Sequence, residues 1–343
     1  MAAPTIPSTM RAWQYSTGKG GLDKNLKLNL AVPLPKPTSD YNLVKVIAAA
    51  LNPIDYKTAE SAVIGPLLIS KPATPGNDFA GRIVTPAAGS PFKAGQLVFG
   101  VPRKNPFHPQ GALREYTLAE NDSIVAIPEG VSPADAATLP VTGLTAYQSI
   151  VPRVKKGDNI FINGGSGGVG VLGIQMAKLM GCQVTVSCST TNVELCKSLG
   201  ADEVIDYKKG SVVEALKASG TKFDHIVDNV GTDWGLYWNC HEFTKPEAVY
   251  VKVAGDMSMA SGVNKLRIKF LPAFLGGGKR QAEGFWPSPS TKDMTQIVEW
   301  VKEGKIKSVI DQRFPFEQAP EAVAKLRTGR AKGKIVVDIA PEN

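Results

Sequence analysis

The chain has 343 residues, 43% of them apolar and 20% charged, which is the balance of an ordinary globular fold with room for two domains. Its formal charge is +8, but Lys and Arg are scattered without a block of like charge, which argues against nucleic acid and fits a small anionic ligand. No apolar run reaches the roughly 18 residues of a spanning helix, Met1 to Pro7 resembles no leader, and Cys182, Cys188, Cys196 and Cys240 form no Cys-x-x-Cys pair, so reduced thiols, no integral membrane segment and a cytoplasmic location are expected.

Residues 11 to 127 read as short strands between Pro and Gly breaks, among them Tyr41 to Ala48, Gly81 to Val84 and Phe92 to Gly100. This density of strands predicts a partly closed barrel. Ser132 followed by Pro133 marks a helix start. From Asn159 onward strands and helices alternate, with strands at Gln183 to Ser187, Glu203 to Ile205, His225 to Asp228 and Val249 to Val253. Helices are expected at Val171 to Met180, Asn192 to Leu199 and Val212 to Lys217. That rhythm predicts a doubly wound parallel sheet with right-handed crossovers. It breaks after about residue 272, and helices at Asp293 to Glu303 and Ala319 to Arg327 lead to a last strand, Lys334 to Asp338. The expected division is 1–127 with 273–343 as one domain and 128–272 as the other.

Chemistry concentrates where the strand Ile160 to Asn163 runs into Gly164-Gly165-Ser166-Gly167-Gly168-Val169-Gly170 and then a helix. Strand, glycine turn and helix in that order form a dinucleotide-phosphate cradle, with helix N–H groups facing the anion. The next strand selects the dinucleotide. An NAD site ends it with Asp or Glu for the ribose hydroxyls. Here no acid falls between Gly170 and Glu194, and the strand ends in Ser187-Cys188-Ser189-Thr190-Thr191-Asn192. Hydroxyl and amide donors at Ser189, Thr190 and Asn192 suit a 2′-phosphate, so NADPH is the expected cofactor.

Over nearly its whole length the sequence resembles the medium-chain dehydrogenase/reductase superfamily. The positions matching the catalytic zinc ligands of its alcohol dehydrogenases are Asn52, Asn77 and Val141, and Pro102 to Gly111 replaces the structural zinc lobe. Two amides and a valine do not make a zinc site, so no metal is expected. Asn52-Pro53-x-Asp55, Gly76-x-Asp78-x-x-Gly81, Leu139-Pro140, Gly200 to Tyr207 and Gly333 to Val337 narrow the resemblance to the quinone oxidoreductases. The subgroup it is most similar to holds the chloroplast-envelope homologues and the enone or alkenal reductases. The fold thereby implied is α/β, a GroES-like β-rich catalytic domain plus a Rossmann domain, with the active site between them.

The resemblance implies an enzyme that transfers hydride from NADPH to the C=C bond of an α,β-unsaturated carbonyl, or to a quinone. Without zinc, hydrogen-bond donors must stabilise the substrate oxygen. Asn52 and Lys57 are implied in that role, with Tyr56 behind them. Tyr207 and Asn192 are implied at the adenosine phosphate, Lys334 as a compensating cation there, and Thr142 and Asn229 on the nicotinamide side. His108, His225 and His241 read as structural or surface, and Phe270, Phe274, Phe285 and Trp286 as cleft wall or core. Two alternatives stay open: a trans-acting enoyl reductase of polyketide biosynthesis, and a zeta-crystallin-like or RNA-binding protein that holds NADPH only as a ligand. A homodimer is common in the family.

Overall fold

The strand at Tyr41–Leu51 is rich in Val, Ile and Ala and buried along most of its length, and the first part of the chain is built on it. The computed structural model describes residues 6–61, 64–105, 107–253 and 259–342; residues 1–5 of the N-terminal stretch and residue 106 of the segment in place of the zinc lobe lie outside them. The elements up to there are β1 (Thr9–Gln14), α1 (Leu22–Asn25), β2 (Lys27–Pro33), β3 (Tyr41–Leu51), α2 (Pro53–Glu60), α3 (Ile64–Leu68), β4 (Asp78–Thr85), β5 (Leu97–Gly100), β6 (Tyr116–Glu120) and β7 (Ile124–Ala126). Next come α4 (Pro133–Ala137), which packs on β3 and β4, and α5 (Pro140–Ile150). Ser132 caps α4 as expected, its Oγ accepting from Asp135 N.

A second compact unit begins within α5, at Thr145. It contains β8 (Asn159–Asn163), α6 (Gly168–Leu179), β9 (Gln183–Cys188), α7 (Val193–Ser198), β10 (Glu203–Asp206), α8 (Val212–Ala218), β11 (Phe223–Asp228), α9 (Trp234–Asn239), β12 (Thr244–Lys252), α10 (Met259–Phe270) and β13 (Gln281–Gly284). The six strands are all parallel, in the order β10-β9-β8-β11-β12-β13. Chain order reverses at β8, and ligands of such sheets bind beyond the strand ends at that point. Phe161, Phe223, Phe243 and Tyr250 fill a core on this sheet.

The remaining elements, α11 (Thr291–Lys302), β14 (Ile310–Pro315), α12 (Ala319–Arg327) and β15 (Lys334–Asp338), belong to the first unit. β15 pairs antiparallel with β3, and the seven-stranded sheet runs β14-β15-β3-β4-β5-β7, with β6 also on β3. Trp13, Phe79, Ile83 and Phe316 lie in its core, and Trp13 Nε1 donates to Phe316 O at 2.7 Å. The second unit runs through Pro287, further along the chain than the texture change at 272 suggested. Gln281-Ala282-Glu283-Gly284 carries no apolar alternation, because an edge strand with exposed Gln281 and Gly284 needs none.

Candidate active site

In the second unit, β8 delivers the chain into the glycine turn. Gly164 takes φ +83, and its N–H donates to Ser187 Oγ at 3.0 Å while Gly165 N donates to Ser187 O at 2.8 Å. The glycines serve different ends. A Cβ on Gly165 would stand 2.8 Å from Val186 Cβ, and one on Gly170 only 2.2 Å from Gly164 O, so those two let turn, strand and helix close up. At Gly167 the nearest atom to such a Cβ is 3.7 Å away, and the space in front of the helix stays open. Gly167 is also the N-cap of α6 and offers no capping side chain. The first helical bond is Val171 N to Gly167 O, which leaves the amides of Gly168, Val169 and Gly170 without an intrahelical acceptor. Gly164, Ser166, Gly167, Gly168, Val169 and Gly170 therefore do come together as one anion-receptive turn.

A polar chain braces this turn from below. Ser187 Oγ donates to Asn163 Oδ1 (2.5 Å), Asn163 Nδ2 to Asp228 Oδ1 (2.8 Å) and the Tyr250 hydroxyl to Asp228 Oδ2 (2.6 Å). Burial, and then the Asp228 charge, raise the Tyr250 pKa, which keeps that hydroxyl a donor. Asn163, Asp228 and Tyr250 belong to no local motif. Their common signal is position on adjacent parallel strands, Asn163 and Asp228 at the carboxyl ends of β8 and β11 and Tyr250 two residues before the end of β12. Asn229 follows Asp228, and its N–H donates to Asn163 O at 3.1 Å. Its side-chain Oδ1 and Nδ2 are both buried, and neither has a protein partner. An amide with both ends unpaired beside a phosphate-receptive turn fits a ligand bearing its own donor and acceptor, as a nicotinamide carboxamide does.

Beyond β9 the expected donors are placed unevenly. Asn192 is buried and spends its Nδ2 on Ser166 Oγ at 2.9 Å, tying the loop to the glycine turn. Ser189 caps nothing with its side chain and approaches Thr191 Oγ1 at 3.4 Å. Thr190 is exposed, and the Asp206 carboxyl is held below its usual range first by the Thr190 hydroxyl nearby, then by Lys208 N, which donates to Asp206 Oδ1 at 3.0 Å, and by the Lys209 and Lys208 charges. Tyr207 is 48% exposed, with Lys208 Nζ 5.4 Å from its ring centre. Register brings Asp206, at the end of the Gly200 to Tyr207 motif, with Lys208 and Lys209 after it, to this site: Asp206 pairs across from Cys188.

In the first unit, Asn52 follows β3 as the N-cap of α2, and its N–H donates to Asp55 Oδ2 at 2.7 Å. Its side chain is spent internally, Nδ2 donating to Asp78 Oδ2 (2.8 Å) and Oδ1 accepting from Lys334 Nζ (2.5 Å). Asn77 Nδ2 donates to Asp55 Oδ1 (2.6 Å), and Val141 N to Asp78 Oδ1 (2.9 Å). Asn52, Asp55, Asn77, Asp78 and Lys334 are all buried. Burial pushes the Asp55 carboxyl up to about 7 and raises that of Asp78, against which the Lys334 charge acts.

This cluster revises two expectations. Lys334 is no phosphate contact, since its ammonium already donates to Leu51 O, Asn52 Oδ1 and Asp78 Oδ2. Asn52 is 1% exposed with both amide ends engaged, so it braces the turn rather than presenting a donor. Tyr56 packs against the apolar core, whereas Lys57 stands exposed on the same helix. Thr142 is buried, its hydroxyl donating to Thr138 O at 2.6 Å. Phe270, Phe274 and Trp286 are exposed, 67%, 85% and 57% respectively. His225 is buried, its Nε2 2.7 Å from Ser149 O. Among the described residues no three His, Cys, Asp or Glu side chains group closely enough to hold a metal, and no helix is long and apolar enough to cross a membrane.

A GroES-like strand unit and a parallel sheet with a glycine turn at its switch point define a two-domain nicotinamide-dependent oxidoreductase. Residues 38–129 match the family described as alcohol dehydrogenase GroES-like domain, and 199–337 the one described as zinc-binding dehydrogenase. The chain is 48% identical to a trans-enoyl reductase of Aspergillus terreus, over 98% of each chain. It is 36% identical to a chloroplastic quinone-oxidoreductase homologue of Spinacia oleracea, over 96% of this chain and 98% of that one. The solved quinone oxidoreductase of Coxiella burnetii superposes with a TM-score of 0.83 at 30% identity, over 96% of this chain and 99% of that one. The chain belongs to the quinone oxidoreductase family of the medium-chain dehydrogenase/reductases. The zinc named in one matching description meets no suitable donors at Asn52, Asn77 and Val141: the two amides are buried in hydrogen bonds and the third side chain is aliphatic.

Proposed function

We propose that the chain is an NADPH-dependent, zinc-independent reductase of activated C=C bonds, with α,β-unsaturated carbonyls as the substrate class and quinones accepted by the same chemistry. The observation that carries this reading is the open space at Gly167 before an uncapped helix, with the unpaired amide of Asn229 alongside. The reduced nicotinamide, when bound, supplies the hydride. The amides of Gly168 to Gly170 would hold its pyrophosphate, and the Asn229 side chain would fix the carboxamide and hence the face presented to substrate.

NADPH rather than NADH is supported by the Ser189 hydroxyl and by the cations at Lys208 and Lys209, which offset the Asp206 carboxylate. Lys57 is the donor we assign to the substrate carbonyl oxygen, because Asn52 is committed and Tyr56 is half-buried against the apolar core. An ammonium there stabilises developing enolate charge, and the α-carbon can take its proton from solvent. The relative at 48% identity favours one particular reading within this class, that of a trans-acting enoyl reductase whose substrate is an enoyl thioester.

Loss of NADPH absorbance against an ortho-quinone, an alkenal, an enone and an enoyl thioester tests both readings. Turnover of the thioester alone selects the second. Tight NADPH binding with no turnover of any of them overturns both and leaves a binding protein. Ser189→Asp should weaken NADPH at least about tenfold and leave NADH little changed, since a carboxylate there repels the 2′-phosphate; unaltered NADPH affinity refutes the phosphate assignment.

A further inference from the structure

The segment Pro102 to Arg114, which stands in place of the zinc lobe, holds Arg103, Lys104, His108 and Arg114 but no Asp or Glu. Arg114 pairs with Ala12 of β1 through an isolated bridge and is 5% exposed. A guanidinium taken so far out of water needs a carboxylate against it, or its charge is left uncompensated. Arg11, Arg153, Arg313 and Arg327, all more exposed, each have one. Arg114 forms no ion pair among the described residues. Its Nη2 donates to two neutral oxygens, Gln110 O at 3.2 Å and Thr117 Oγ1 at 2.9 Å, and its buried Nε–H has no acceptor. The carboxylates near it in the chain are spent elsewhere, Glu115 on Arg11, Asp122 on Lys104 and Glu120 on the Tyr41 hydroxyl.

Arg103 adds a second cation without a carboxylate among the described residues. Its Nη1 donates to the Tyr41 hydroxyl at 2.6 Å, and its guanidinium lies 4.3 Å from the centre of that ring. Its charge reaches Arg114, which burial and then Arg103 push down to about 9. Burial, and then the two arginine charges, also hold the His108 imidazole neutral. Gln110 Oε1, on the same segment, is a further buried polar atom without a partner. The chain thus gathers two positive charges here and supplies no negative one to either.

We propose that Arg114 and Arg103 form a phosphate-binding site in the first unit, the phosphate arriving as the free ion or as the end of a phosphate ester. A dianion compensates both charges at once, whereas one carboxylate would leave a positive charge over. Tetrahedral phosphate oxygens can accept from two guanidiniums together. The Nε–H of Arg114 is the donor held ready for them. Backbone bonds tie the segment to the Asn52 cluster: Gly111 N donates to Thr74 O and Ala112 N to Gly76 O, immediately before Asn77 and Asp78. This inference rests on the first unit alone and does not depend on the reductase reading.

The test is thermal unfolding with inorganic phosphate titrated at constant ionic strength, in buffer otherwise free of oxyanions and with no nucleotide or substrate. The unaltered chain should gain roughly five degrees, saturably, at a hundredfold excess over the phosphate Kd. Arg114→Met keeps the packing of the stem and removes the charge, and should lose most of that gain. What remains belongs to the glycine turn of the second unit and to the non-saturating rise that excluded salts give any fold. Methyl phosphate distinguishes the two sources: an equal gain shows a site open to esters, and a gain from inorganic phosphate alone a closed ion site.

The absence of a saturable gain in the unaltered chain overturns the proposal, as does an equal gain in Arg114→Met. If Arg114→Met does not fold, Arg103→Met, at the less buried of the two arginines, decides. A phosphate Kd raised at least about fivefold in that variant supports the pair, and an unchanged one overturns it.

Discussion

Gly170→Ala and Gly167→Ala, three positions apart in one motif, should fail in opposite ways. The added methyl at 170 would lie 2.2 Å from Gly164 O and 2.7 Å from the Gly165 C and Cα atoms. Carbon contacts are ordinarily about 3.5–4.0 Å, so helix and turn must part by more than about 1 Å. Every atom it meets is backbone and cannot swing away. Overpacking of this kind costs about 1–3 kcal/mol, from which the gain of Ala over Gly in a helix returns at most about 1 kcal/mol. The amides of Gly168 to Gly170 move with the helix, and each hydrogen bond to a charged group is worth about 1.5–3 kcal/mol. Gly170→Ala should lower the melting temperature by a few degrees and weaken NADPH by roughly 10- to 100-fold. Gly167 has φ −81 and ψ 173, open to any residue, and 3.7 Å of clearance. Gly167→Ala should melt like the unaltered chain yet bind NADPH at least about tenfold more weakly, because the methyl occupies the phosphate's space. Nucleotide-free melting and a fluorescence titration with NADPH check both. Unchanged NADPH affinity in Gly167→Ala refutes the placement of the phosphate, and unchanged stability in Gly170→Ala refutes the steric account.

Asn229→Ala removes a buried amide that has no protein partner, so nucleotide-free stability should hold or rise slightly while cofactor-dependent turnover falls at least about tenfold; lost stability with intact turnover would show the amide to be structural. Lys57→Met changes an exposed side chain and should leave melting and NADPH affinity alone, but lower kcat by roughly 10- to 100-fold. Equal kcat removes Lys57 from the mechanism. Burial, then Arg114 and Arg103, push the His108 imidazole down to about 3, and its Nδ1 accepts from Gln110 N at 3.1 Å. Below the usual histidine pKa of about 6.5 the unfolded chain takes a proton that the folded chain refuses, so stability falls as pH drops from about 6.5 towards about 3. His108→Gln should flatten that limb in urea titrations at stepped pH, and superimposable acid limbs would show that His108 is not its source.

The glycine turn was legible because it is local. Strand, turn and helix are consecutive in the chain, and Gly165 and Gly170 are fixed by neighbours a few residues away or one strand over. The Ser132 cap was legible for the same reason. Asp206, Lys208 and Lys209 were not, because their place beside Thr190 follows from the pairing of β10 with β9. Lys334, expected as a cation at the adenosine phosphate, is 4% exposed, since β15 returns to pair with β3 and carries it beside Asn52, 282 residues earlier in the chain.

Sequence alone determined the two textures, the dinucleotide turn and the unsuitability of Asn52, Asn77 and Val141 for zinc, because periodicity, backbone freedom and ligand chemistry are properties of short stretches. Tertiary structure alone decided which polar groups are already satisfied. It spent the Asn52 amide and the Lys334 ammonium on each other and on Asp78, and left the Asn229 amide unpaired. The physical reason is that a buried donor must find an acceptor or wait for a ligand, and which of the two occurs depends on what the fold brings within about 3 Å.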